Sequence, residues 1–224
     1  MKGAAYIDMD GTILNCESQM KFAVWCMKCR VVPRYSLVGL LVRYASYAFG
    51  FTTDGTHLRR MGFNLMAGLP IERIEQLSSH YFHTHLQHRI RRSAHSIISK
   101  HRDAGDRVVL ITAAMYQIAA PVARELGIDE VIATRLNQRD GILTGDCDEP
   151  QPYREGKKAL MEADAIRFGI GMDECFAYAD HVSDLSMLES VGNPVAINPT
   201  RPLRRIARER NWPIHDWNIE AYAR

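Results

Sequence analysis

Ala4-Ala5-Tyr6-Ile7-Asp8-Met9-Asp10-Gly11-Thr12 is the stretch on which the reading of the fold turns. Four apolar residues run directly into two acids, the pattern of a short strand buried on both faces. Asp8 and Asp10, two apart past the strand end, can face one pocket, and Gly11 lets the chain turn sharply behind them. Paired acids in a loop are common, so their meaning depends on what the rest of the chain brings.

Outward from this strand the texture changes twice. From Glu17 to about Lys100 the pattern is helical, with breaks at Pro33, at Thr52-Thr53-Asp54-Gly55 and at Gly68-Leu69-Pro70. Beyond Asp103-Ala104-Gly105-Asp106, strands are expected at Val108–Ile111, Glu130–Ala133, Cys175–Ala179, Pro194–Ile197 and Pro213–His215. Helices are expected over 115–126, 156–168, 184–191 and 202–210, and Asp140-Gly141 marks a hairpin turn. Strands alternating with helices predict an α/β fold with a mostly parallel sheet covered on both faces. The helical block after the first strand is too long for an ordinary crossover and reads as an inserted all-helical domain.

Composition narrows the class. The 224 residues suit one domain, or one domain with an inserted module, and 46% apolar with 24% charged residues excludes a disordered or collagen-like chain. Lys+Arg 28 against Asp+Glu 26 leaves a net charge of +2, so no strong field drives non-specific nucleic-acid binding. The five cysteines are scattered, and Met1-Lys2-Gly3 opens without a signal-like apolar region, which predicts reduced thiols and a cytoplasmic location. Cys26-x-x-Cys29 has no second pair to complete a zinc site, and the two are read as plain half-buried cysteines.

Three further features fall where strand ends are expected, the place where open α/β sheets carry their sites. These are Thr112, Lys157 within Glu155-Gly156-Lys157, and Asp180-His181-Val182-Ser183-Asp184. In that order with the Asp8-x-Asp10-Gly11-Thr12 stretch, they make a far more specific signal than any one of them. Together with Leu110-Ile111-Thr112-Ala113 and Tyr178-Ala179-Asp180, the chain resembles the haloacid dehalogenase superfamily, in its phosphoserine-phosphatase-like branch (subfamily IB). Receiver domains of two-component signalling also use an Asp, a Thr and a Lys, but their Asp follows a later strand in a domain about half as long.

The resemblance implies a Rossmann-like core over 1–15 and 88–224, with a helical cap over 16–87. It implies a Mg²⁺ held by the side chains of Asp8 and Asp180 and the main-chain carbonyl of Asp10. Asp184 would support the metal through water or by pairing with Lys157. Asp8 would attack phosphorus to form an aspartyl-phosphate, and Asp10 would act as acid and then base. Ionised Asp8 is expected to raise the pKa of Asp10. Gly11, Thr12, Thr112, Ala113 and Lys157 would bind the phosphoryl group. The expected activity is a Mg²⁺-dependent phosphatase acting on a small phosphate monoester. The alternatives are a lipid-phosphate phosphatase at a membrane surface, or a phosphotransferase or phosphomutase.

The inserted region bears on the substrate. Glu17 stands where phosphoserine phosphatases carry a Glu that meets the substrate ammonium; it either does so here or caps the first cap helix. The matching place for their carboxylate-binding Arg holds Gly62, with Arg59 and Arg60 upstream. Residues 35–53 carry the single charge Arg43; they read as a packed cap helix, with a lipophilic surface as the alternative and no true span expected. His80, His83, His85, His88, His95 and His101, interleaved with arginines, read as one basic helix with a solvated face, an anionic partner or membrane headgroups being the alternative. His181 either shapes access to the site or fills its loop.

Overall fold

The computed structural model describes residues 2–31 and 63–217. Six parallel strands form one sheet in the order β3-β2-β1-β6-β7-β8. They are β1 (Ala4–Ile7), β2 (Arg107–Met115), β3 (Glu130–Thr134), β6 (Phe176–Ala179), β7 (Asn193–Ile197) and β8 (Ile214–His215). A separate antiparallel pair, β4 (Leu136–Arg139) and β5 (Ile142–Cys147), turns at Asp140-Gly141. The α/β architecture expected from the sequence is thus present, and the main sheet is parallel at every described pairing.

The helices are α1 (Ser18–Lys28), α2 (Ile71–Tyr81), α3 (Arg92–Ala104), α4 (Tyr116–Glu125), α5 (Glu155–Arg167), α6 (Leu185–Glu189) and α7 (Arg201–Glu209). Both faces of the sheet are covered, and the strand period shows which residues serve which face. Ala5 and Ile7 of β1 join a core with Phe22, Ile74, Tyr81, Ile98 and Ile118, under α1 to α4. Ala4 and Tyr6 join the opposite core with Met161, Ala165, Met187, Leu188, Leu203 and Ala207, under α5 to α7. A four-residue strand with no exposed side chain therefore needs an uninterrupted apolar run, and β1 has one.

Order 3-2-1 on one side and 6-7-8 on the other makes the β1–β6 boundary the place where the direction of winding reverses. The crevice at such a boundary is where an open α/β sheet receives ligands. Asp8 leaves β1 and Asp180 leaves β6 at this crevice, and the Asp8 N–H donates to the Tyr178 carbonyl at 2.9 Å.

Several expectations need correcting. Strand β2 continues through Met115 rather than ending at Ile111, so Thr112 lies within it, where the pairing with β3 slips. The helix expected over 184–191 is a 3₁₀ turn at Val182–Asp184 followed by the short α6. The histidine-rich stretch is not one basic helix. It divides into α2, a π-helical turn at Phe82–Leu86, a 3₁₀ turn at Gln87–Arg89, and α3. Between the 3₁₀ turn and α3, Ile90 forms a bridge with Leu14. Nor is His101 solvated: it is buried, with Nδ1 2.8 Å from Asp106 Oδ2 and Nε2 2.7 Å from Tyr178 Oη. Of the cysteine pair, Cys26 is buried and Cys29 exposed, and none of the five cysteines forms a disulfide.

The 35–53 segment, Pro33, the 52–55 break, Arg59, Arg60 and Gly62 lie outside the described residues. Among the described residues no helix is long and apolar enough to cross a membrane.

Candidate active site

Three buried side chains form the floor of the crevice. Lys157 Nζ lies 2.6 Å from Asp8 Oδ1 and 2.8 Å from Asp184 Oδ2. A lysine that is only 2% exposed needs such partners, because an unpaired buried ammonium is strongly disfavoured. Its burial follows from its helix register: Lys157, Met161 and Ala165 are the buried residues of α5, one turn apart along one stripe. Gly156 allows that register, since a Cβ there would stand 2.1 Å from the Gln151 carbonyl oxygen.

The turn after β1 presents the acids. Thr12 Oγ1 donates to Asp8 Oδ2 at 3.2 Å. Gly11 has φ +80°, and a Cβ there would meet Asp180 Oδ2 at 2.2 Å, so only a glycine lets this turn lie against Asp180. Asp10 accepts two hydrogen bonds from Ser18, the N–H on Oδ1 at 3.0 Å and the hydroxyl on Oδ2 at 3.1 Å. Thr112 is buried, with Oγ1 accepting the Ala114 N–H at 3.1 Å, and the neighbouring Ala113 carbonyl accepts from Thr134 Oγ1 at 2.9 Å. The Asp180 carbonyl accepts the Thr200 N–H at 2.8 Å.

The electrostatics separate the two acids of the first turn. Burial pushes the Asp8 carboxyl up to about 6, against the opposing pull of the Lys157 ammonium 2.6 Å away. Burial also raises Asp10, to about 8, with Glu17 adding to the rise, the Ser18 hydroxyl opposing it and Asp8 adding less. The direction is the one expected from the sequence, but the leading cause is burial rather than the charge on Asp8. Asp180 is raised to about 8 by burial and then by Asp8, Asp184 and Glu17. A carboxylate paired with a lysine beside one that has no such partner and is raised further by burial suits the turn to two different chemical roles.

A model of the haloacid dehalogenase-like hydrolase family matches residues 5–189. The chain belongs to that family. Phosphoserine phosphatase SerB1 of Mycobacterium tuberculosis is 31% identical over 222 residues, covering 98% of this chain and 72% of that protein. A histidinol-phosphatase of Neisseria meningitidis is 25% identical, covering 96% of this chain and 98% of its own. The crystal structure of a protein with unknown function from Bordetella pertussis Tohama I superposes with a TM-score of 0.87 at 25% identity, over 96% of this chain and 99% of that one. This haloacid dehalogenase-like hydrolase is a phosphatase with a Rossmann-like core and a cap.

The donor chemistry suits a hard divalent cation. Asp8 and Asp184 flank the single Lys157, and the neighbouring Asp10 and Asp180 are raised mainly by burial, with the charge on Asp8 adding to both. Among the described residues no three His, Cys, Asp or Glu side chains form a metal-ligand cluster. The set implied by the family resemblance does not require one, since it uses two carboxylates and a main-chain carbonyl oxygen.

Other residues around the hydrolase site were not read from the sequence. Ser18 holds Asp10 through two hydrogen bonds, and its position one after Glu17 is the only signal the sequence offers for it. Arg91 donates to the carbonyls of Gly11 at 3.4 Å and Trp217 at 2.9 Å, tying the turn after β1 to residues far along the chain. Glu17 is exposed and its side chain makes no capping hydrogen bond to α1, so the capping alternative is not realised. His181 Nδ1 accepts the Ser183 N–H at 3.1 Å, which is a loop-building role.

Proposed function

We propose that the chain hydrolyses a small phosphate monoester, with Mg²⁺, through an aspartyl-phosphate on Asp8. The observation that carries this reading is the unequal pair on one turn: Asp8 ion-paired to Lys157, and Asp10 raised to about 8. Asp8 is the nucleophile, and its attack divides one difficult displacement into two easier ones. Asp10 gives its proton to the departing alcohol and then takes one from the water that releases phosphate.

Lys157 offsets charge on the phosphoryl group, while Gly11, Thr12, Thr112 and Ala113 supply hydrogen-bonding groups around it. The Asp8 and Asp180 carboxylates and the Asp10 carbonyl hold the metal, with Asp184 supporting through Lys157. Bound Mg²⁺ supplies positive charge that offsets the repulsion between a carboxylate and a phosphate dianion. We assign residues 16–87 to the cap and 1–15 with 88–224 to the core. In this reading Glu17, exposed at the start of the cap, meets a cationic group of the substrate.

The test is phosphate release from a panel of monoesters, with Mg²⁺ or EDTA, by the wild type and by Asp8→Asn. Phosphoserine and histidinol phosphate head the panel because relatives bear those names; sugar phosphates and a lysophospholipid phosphate complete it. Release that needs Mg²⁺ and disappears in Asp8→Asn is the expected result. Undiminished release by Asp8→Asn would remove Asp8 as nucleophile. A folded wild type that releases no phosphate from any ester would point to transfer onto an acceptor instead.

A further inference from the structure

Asp10 is gripped through both of its carboxylate oxygens by one residue. Ser18 donates its main-chain N–H to Oδ1 at 3.0 Å and its hydroxyl to Oδ2 at 3.1 Å. Ser18 is fully buried, so its side chain has no solvent to turn towards. It is the first residue of α1, where main-chain N–H groups have no partner inside the helix and are free to bind elsewhere. The same turn is pinned a second time: the neighbouring Gln19 accepts the Met115 N–H on Oε1 at 2.8 Å, at the end of β2. The start of α1 is thereby fixed to both the Asp10 turn and the strand carrying Thr112.

We propose that Ser18 is a positioning residue that keeps the Asp10 carboxyl in one orientation through both halves of the reaction. This rests on the assignment of Asp10 as acid and base made above. A main-chain N–H can only donate, so its contact assigns any proton on the carboxyl to Oδ2. A hydroxyl both donates and accepts, so Ser18 Oγ keeps its contact with Oδ2 whether or not that oxygen carries the proton.

In the first half, the bond from phosphorus to the alcohol oxygen breaks as the bond to Asp8 forms. The departing oxygen takes the Asp10 proton. In the second half, a water oxygen bonds to phosphorus, the bond to Asp8 breaks, and a water proton returns to Asp10. Protons and charge balance over the cycle, and Asp10 must be aimed correctly twice.

The experiment compares two esters that differ in their need for a proton. The phenolate of p-nitrophenyl phosphate departs unaided, whereas the alkoxide of glycerol 2-phosphate does not. The readout is kcat/KM, which reports on the steps through loss of the alcohol, for the wild type, Asp10→Asn, Ser18→Ala and Ser18→Thr. Ser18→Ala is expected to lose about tenfold or more on glycerol 2-phosphate and less than about threefold on p-nitrophenyl phosphate, with Ser18→Thr restoring most of the loss.

Equal losses on the two esters, or no loss, in Ser18→Ala would overturn the proposal if Asp10→Asn still discriminates between them. An Asp10→Asn variant that does not discriminate would overturn the acid role of Asp10 itself. Circular dichroism checks the fold of each variant. Should Ser18→Ala fail to fold, Ser18→Cys, similar in size but a weak donor, carries the same expectation.

Discussion

Lys157 joins stability and chemistry in a single side chain. It is buried between Asp8 and Asp184, so removing it leaves two carboxylates facing each other without a counter-charge. Lys157→Met, similar in length and uncharged, is expected to cost about 3–5 kcal/mol of stability in urea unfolding. It is also expected to lower kcat by on the order of 10²–10³-fold. A stable variant that kept wild-type turnover would show that the ammonium is dispensable to both. The sequence singles out Asp8, Asp10, Lys157 and Asp180 as candidates because two acids, a threonine, a lysine and a further pair of acids follow one another in that order at expected strand and helix ends. It does not single out Ser18, since a serine at a helix start has many structural uses.

At the level of elements, the hairpin does something its turn signal did not announce. The Leu143 N–H donates to the Leu69 carbonyl and the Leu143 carbonyl accepts the Gly68 N–H, both at 2.9 Å. The Ile71 N–H donates to the Gly141 carbonyl at 2.8 Å. The β4–β5 hairpin thus holds the segment leading into α2 by main-chain bonds, and the buried Leu143 side chain packs in the same core as Ile74 and Leu77. Leu143→Ala is expected to cost about 2–5 kcal/mol, read from the urea unfolding midpoint, because the space left lies between two elements that main-chain bonds prevent from closing in. A loss below about 1 kcal/mol would mean that the contact is easily refilled. Asp140-Gly141 identified the turn from local sequence alone. The partner of its outer edge lies about seventy residues away, and no local pattern encodes such a pairing.

Across the whole molecule, the burial of acids at the ends of the central strands sets a pH dependence. Asp10 and Asp180 stand at about 8 in the metal-free fold, against an ordinary value of 3.8. For acids raised in this way, the favourable contribution is complete below the ordinary value and is lost as pH rises through about 8. The Tm of EDTA-treated protein is therefore expected to fall between about pH 5 and about pH 9. Added Mg²⁺ is expected to raise Tm, and by more at the alkaline end, because the carboxylates must be ionised to bind it. A metal-free Tm that does not fall over this range would show that the acids titrate alike in the folded and unfolded chain.

Sequence alone determined the α/β class, the order of strands and helices beyond residue 100, and the family to which the chain belongs. Those properties follow from local periodicity and from rare residue types at fixed places, which survive without knowledge of the fold. Only the tertiary structure decided that His101 is buried between Asp106 and Tyr178, that burial more than charge raises Asp10, and that Ser18 clamps it. Each depends on what a side chain meets from elsewhere in the chain. The helical pattern of 80–102 is the same whether His101 faces water or a strand. Contact with Tyr178, 77 positions further along, is what excludes the water.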